Sequence, residues 1–130
     1  NAESLLEKFN LSHMRDEYAA TLSGGQRKLL EMARALMSQP KLLLLDEPMA
    51  GVNPVLVESL LAHIENLRDE GVSVLFIEHD MDAIMGISDW IVVLAEGRII
   101  AEGTPSEVSK NPAVIDAYLG SSIAEELKDV

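Results

Sequence analysis

Cysteine is missing from all 130 residues. Its absence excludes disulfides, cysteine-held zinc and thiol catalysis together, and it fits a reducing compartment. Positive charge is scarce: 10 Lys and Arg stand against 22 Asp and Glu, a net charge of −12. A surface this acidic repels phosphate backbones and anionic lipid heads, so no nucleic-acid partner and no direct adhesion to lipid is expected. No apolar run approaches the roughly 18 residues that cross a bilayer. No basic segment followed by an apolar stretch opens the chain as a signal peptide would. What is present suffices for a core. Hydrophobic residues make up 48% and charged ones 25%, the balance of one folded domain and not of a disordered tail. The simplest class is a cytoplasmic protein kept dispersed by its charge. The first residue is Asn1 and not Met, which favours a cut or processed start.

The apolar spacing predicts alternating helices and strands. Ala2 to Phe9 reads as a short helix and Asn10 to Thr21 as irregular. Ser23-Gly24-Gly25 breaks the chain and opens a helix over Gln26 to Ser38, with Leu29, Leu30, Ala33, Leu36 and Met37 as its buried stripe. Leu42 to Leu45 is an unbroken apolar run ending at Asp46-Glu47-Pro48, the pattern of a parallel strand covered on both faces. Asn53 caps a third helix with Pro54 at its first position, and Gly71 ends it. Val72 to Ile77 is the next strand, apolar on both faces, and Asp80 to Met85 a short helix. Trp90 to Leu94 and Arg98 to Ala101 flank Glu96-Gly97, a hairpin turn. Thr104 and Glu107 have capping-box spacing, and Pro112 to Leu119 is another helix. Ser121 to Val130 is a polar helical or frayed tail. This order gives an α/β fold with parallel strands.

Three constellations carry chemistry. Asp46 and Glu47 follow an apolar strand, so their carboxylates stand at the C-terminal edge of the sheet, where ligands of open α/β sheets bind. Asp46 could hold Mg²⁺ through a water, and Glu47 could polarise a water attacking a terminal phosphate. Taken alone, two acids that merely end a strand explain the pair equally well. Leu22-Ser23-Gly24-Gly25-Gln26 is sharper. Its glycines permit close backbone approach, the helix behind them points free N–H groups outward, and Ser23 adds a hydroxyl: an anion site. An ordinary glycine turn with a serine cap is the rival for the loop alone, but the Asp-Glu strand that follows makes chance a poor account. His79 follows the second strand and emerges at the same edge, where it could donate to a γ-phosphate; a plain surface histidine is the rival.

Together these residues resemble the ATP-binding cassette (ABC) ATPases. Leu22 to Gln26 matches that family's signature loop. Leu42 to Glu47 is similar to its Walker B strand, with Glu47 at the position of the catalytic base. Met49 to Pro54 falls at the D-loop, and His79 at the switch histidine. The resemblance implies a parallel-sheet P-loop NTPase-like fold, of which this chain is the C-terminal portion without the Walker A half. It implies the end of a helical subdomain over 1–38, a Walker B, D-loop and switch-histidine core over 39–102, and C-terminal helices over 103–130. ATP and Mg²⁺ are the implied cofactors, with Asp46 on the metal side. Ser23, Gly24, Gly25 and Gln26 would contact nucleotide held by a second ATPase subunit, in a homodimer or a heterodimer, and Gly51 and Asn53 belong to the D-loop. Integral membrane permease subunits are the further implied partners, which puts the protein at the cytoplasmic face of the inner or plasma membrane. Met49 to Pro54 and Val114 to Gly120 resemble the branched-chain amino acid importers. The family's D-loop aspartate has Asn53 as its nearest counterpart, a departure from the pattern.

Gly-x-x-x-x-Gly-Lys-Ser/Thr occurs nowhere, and none of the 8 glycines precedes a lysine. The P-loop that cradles the β- and γ-phosphates would therefore precede Asn1, as would the base-stacking aromatic and the Q-loop glutamine. The expectation is a fragment of an ABC importer ATPase, inactive alone. A non-transport relative acting in repair, chromosome organisation or translation is one rival. A non-catalytic module that lends its signature loop to a partner's nucleotide is another. His13 and His63 are expected at the surface. Trp90 is expected to pack at a strand start, and Met32, Met37, Met81 and Met85 to fill core.

Overall fold

The strand Leu42–Asp46 (β1) ends an apolar run, and its backbone groups are met by Ser73–Ile77 (β2) lying parallel to it. In this computed structural model, which describes residues 1–119, Leu42 pairs with Ser73 and Asp46 with Ile77. The ladder runs on at both ends: Ser73 N donates to Lys41 O and Glu47 N to Ile77 O, each at 2.9 Å. A parallel pair needs a crossover, and the helix Pro54–Asp69 (α3) supplies it. Asn53 caps α3 through its side-chain oxygen, which accepts from Val55 N at 2.9 Å, with Pro54 in the first turn as expected.

The chain divides into two compact units, the first spanning Asn1–His79. Besides β1, α3 and β2 it holds the helices Ala2–Lys8 (α1) and Gly24–Leu36 (α2), with single 3₁₀ turns at Ser12–Met14 and Ala19–Thr21 inside the stretch read as irregular. α2 begins two residues before the predicted start, because the capping box at Ser23 recruits both glycines into its first turn. Its buried stripe includes Leu29, Met32, Ala33 and Leu36, whereas Met37 lies past the helix end and is exposed, against expectation.

The sheet departs from expectation as well. Burial alternates along β1 and β2 instead of being continuous: Leu43 is 5% exposed, but Leu44 is 64% exposed, and Leu42, Leu75 and Ile77 share its open face. The reason is geometric. Successive strand residues point to opposite faces, and one crossover helix covers one face of a two-stranded sheet.

Phe9 has no exposed surface and lies against the imidazole of His63 on α3, ring centroids 4.7 Å apart. His63 is thus half-buried and not the surface residue the sequence suggested. Burial, with the Lys8 charge beside it, holds its pKa below the ordinary 6.5. The unfolded chain then binds the proton more readily than the native one, so stability is full above pH 6.5 and falls as pH drops through that value toward the native pKa. Urea midpoints measured from pH 8 to pH 5 are expected to decline, and His63→Gln is expected to flatten the decline. An equal slope in both proteins would assign it to other groups.

The second unit starts at Asp80. The helix Met81–Ile87 (α4) precedes an antiparallel hairpin of Ile91–Ala95 (β3) and Arg98–Gly103 (β4). Glu96 and Gly97 both take positive φ, 50° and 74°, the turn that matches the twist of paired strands. Ile91, Val93 and Ala101 form a core with Val108 of the capped helix Pro105–Ser109 (α5) and Val114 of the short helix Pro112–Val114 (α6). Met81 and Met85 pack against it, partly buried, as expected of filler. The segment predicted as one helix from Pro112 splits into α6 and a wider helical turn over Ile115–Leu119. Trp90 is 59% exposed and does not pack at its strand as expected. The tail from Ser121, and Gly120 at the end of the importer-like stretch, lie outside the described residues.

Candidate functional site

The first group of site residues stands at the C-terminal end of the parallel pair. Asp46 is the last residue of β1, and Glu47 follows it with φ of 44°. A left-handed backbone at a non-glycine residue costs on the order of 1–3 kcal/mol, so surrounding bonds must hold it. One is the ladder bond from Glu47 N to Ile77 O. Two successive turns follow, Ala50 N to Glu47 O at 3.1 Å and Val52 N to Met49 O at 3.2 Å. They carry the chain past Gly51 (φ 69°) to the cap Asn53. His79 lies two residues beyond the end of β2. Because Asp46 is in register with Ile77, the ladder brings Asp46, Glu47 and His79 to the ends of neighbouring strands, and all three are exposed.

The second group is the loop before α2. Ser23 Oγ accepts from Gln26 N at 3.1 Å, and Gln26 Oε1 accepts from Ser23 N at 2.9 Å. Arg27 donates to Ala20 O at 3.2 Å and ties down the approach to the loop. The Ser23 oxygen is engaged as acceptor, which leaves its O–H able to donate outward. Gly25 is buried, and a Cβ there would lie 2.2 Å from Leu56 Cδ1. That contact seats the start of α2 on the first turn of α3. A Cβ on Gly24 would lie 3.9 Å from Gly51 O. The loop Ser23–Gln26 and the turn Gly51–Asn53 are therefore neighbours.

Asn53 has a structural task with which the departure noted above is compatible. A helix cap needs one acceptor oxygen, and Asn supplies it as well as Asp does. No group of three or more His, Asp or Glu able to hold a metal by itself occurs among the described residues. A single carboxylate such as that of Asp46 would suit a Mg²⁺ that keeps most of its water and takes further oxygens from phosphates; in that sense the residue present fits the ion. A cavity of about 230 Å³ includes Asp46 among Met32, Leu43, Leu45 and Leu60, but not Glu47 or His79.

Sequence reasoning missed Glu78. Its Oε1 accepts from Met49 N at 3.0 Å, across 29 residues of chain. The signal was visible, an acid wedged between an apolar strand and a histidine, but its acceptor role depends on which loop lies alongside.

A parallel pair ending in acids, a crossover helix capped at the loop behind them and a glycine loop seated on that helix place the chain among the α/β proteins with a parallel sheet. Comparison with known proteins makes the class specific. Residues 1–50 match the family model described as ABC transporter, and residues 98–124 match that of the branched-chain amino acid ATP-binding cassette transporters. The probable branched-chain amino acid transport ATP-binding protein LivG of Archaeoglobus fulgidus is 48% identical over 93% of this chain and 47% of its own length. The lipopolysaccharide export system ATP-binding protein LptB of Escherichia coli is 41% identical over 92% of this chain and 49% of its own. A crystal structure of the ADP conformation of an ATP-binding cassette of an ABC transporter superimposes with a TM-score of 0.82 at 41% identity, covering 92% of this chain and 48% of that one. The chain belongs to the ATP-binding cassette ATPase family, and its α/β fold with a parallel sheet is the fold of that family. It spans about half the length of the curated relatives it matches. No helix among the described residues is long and apolar enough to cross a membrane.

Proposed function

We propose that this chain is the C-terminal catalytic portion of the ATP-hydrolysing subunit of an ABC importer, of the branched-chain amino acid type. The observation that carries the proposal is Glu47: an exposed carboxylate on a left-handed residue whose backbone N–H donates to Ile77 O, at the strand end that His79 follows. Glu47 accepts a proton from the water that attacks the γ-phosphate. His79 donates to a γ-phosphate oxygen and keeps that water in line. Asp46 would hold Mg²⁺, which neutralises charge on the β- and γ-oxygens when bound. Ser23 donates its hydroxyl, and the first-turn amides of α2 face phosphate oxygens held by a second ATPase subunit. Gly51 and Asn53 belong to the turn that lies beside Gly24. A pair of such subunits at the cytoplasmic face of the membrane would drive integral permease subunits.

The importer type rests on the match over residues 98–124 and on the LivG relative. Because an export ATPase is also 41% identical, the cargo is tested separately. The P-loop-bearing subunit is co-expressed with candidate membrane subunits, and ATPase activity is measured with leucine, isoleucine or valine and the matching binding protein. Stimulation is the expected result; co-purification with lipopolysaccharide-exporting membrane subunits instead would overturn the importer assignment. The 130-residue chain alone is expected to show no micromolar binding of Mg-ATP by calorimetry, because it has no P-loop to cradle the phosphates. Micromolar affinity would show that the remaining groups make a complete site.

A further inference from the structure

We infer that Glu78 is a positioning residue that holds Glu47 and His79 in one geometry, an inference that rests on the ATPase reading above. The segment Glu47-Pro48-Met49 has two backbone donors, because proline has none. Both are spent on the end of β2. Glu47 N donates to Ile77 O at 2.9 Å, and Met49 N donates to the Glu78 carboxylate at 3.0 Å. The first bond is backbone to backbone and forms whatever the side chains are. The second exists only because residue 78 carries an acceptor of the right length.

Pro48 and Met49 are buried, so an unpaired Met49 N–H would be left in a poorly hydrated place. The two bonds bracket Glu47, whose φ of 44° has to be maintained against its own preference. Glu78 is also the residue directly before His79. A shift of the histidine therefore pulls on Met49, and a shift of Met49 alters the direction of Glu47. The same loop continues to Gly51, whose carbonyl oxygen lies near Gly24. One carboxylate thus couples the histidine to the base and, through the turn, to the glycine loop. It touches no reacting atom; it sets where the reacting groups stand.

The test separates acceptor geometry from charge, in the intact, P-loop-bearing subunit. Glu78→Gln keeps an oxygen at the same reach and loses the charge; its kcat is expected to stay within about two-fold of wild type. Glu78→Asp keeps the charge and is one methylene too short; its kcat is expected to fall about ten- to a hundred-fold, with KM for Mg-ATP little changed. Exchange of the Met49 amide, followed by NMR, is expected to quicken about ten-fold or more in the Asp variant and not in the Gln variant. The reverse order of activities, or full activity in both variants, overturns the inference. Wild-type protein that hydrolyses no ATP would sink the ATPase reading instead. In that case the amide exchange, which needs no turnover, still decides the tether, and equal exchange in all three proteins refutes it.

Discussion

Glu47→Gln in the intact, P-loop-bearing subunit is expected to lower ATP turnover by about 10²–10⁴-fold while Mg-ATP still binds. The amide has the shape of the carboxylate but cannot take a proton at neutral pH. The backbone that aims it is unchanged, because the bond from residue 47 N to Ile77 O does not involve the side chain. Steady-state phosphate release and equilibrium nucleotide binding, measured on the same preparation, check the two halves of the expectation. Unchanged turnover would remove Glu47 from the role of base. Glu78→Gln, the same chemical change on a nearby acid, is expected to leave turnover almost intact. One acid is needed for its proton chemistry, the other for an oxygen at the right reach.

Phe9→Ala is expected to destabilise the first unit by about 3–5 kcal/mol, read as a lowered urea midpoint at unchanged slope. Phe9 is fully buried just past the end of α1, and its ring meets His63 on α3. Truncation leaves a ring-sized void between elements distant in sequence, and one that a short helix followed by 3₁₀ turns cannot easily collapse to fill. Lys8 and Glu70 form an ion pair near the same helix ends. With Glu70 exposed and Lys8 only part-buried, it is worth a fraction of the ring, so Lys8→Ala is the natural comparison. A Phe9→Ala midpoint indistinguishable from that of Lys8→Ala would show that the ring is not a main support of the unit.

Local signals were enough to place most elements. Ser23 and Gln26 announce the start of α2, Asn53-Pro54 that of α3, and Thr104 with Glu107 that of α5, because capping chemistry is written within four residues. Glu96-Gly97 announces the hairpin for the same reason. Errors fell where the outcome depends on a distant partner. Four leucines in a row specify an extended strand but not what covers it, so Leu44 stands exposed where a buried residue was expected. His63, Met37 and Trp90 were misjudged because burial is decided by what packs against a side chain and not by the side chain itself.

By itself the sequence determined the chemical types and their order: a glycine loop with its capping serine, two acids after an apolar strand and a histidine after the next. Side-chain chemistry and helix capping are local properties, and an ordered motif conveys them. Tertiary structure alone decided that β1 and β2 pair in the register that sets Glu47 beside the end of β2, that Gly25 lies against Leu56, and that Glu78 reaches Met49. Those contacts join residues tens of positions apart. Their distances follow from how the crossover helix packs, and no local pattern encodes that.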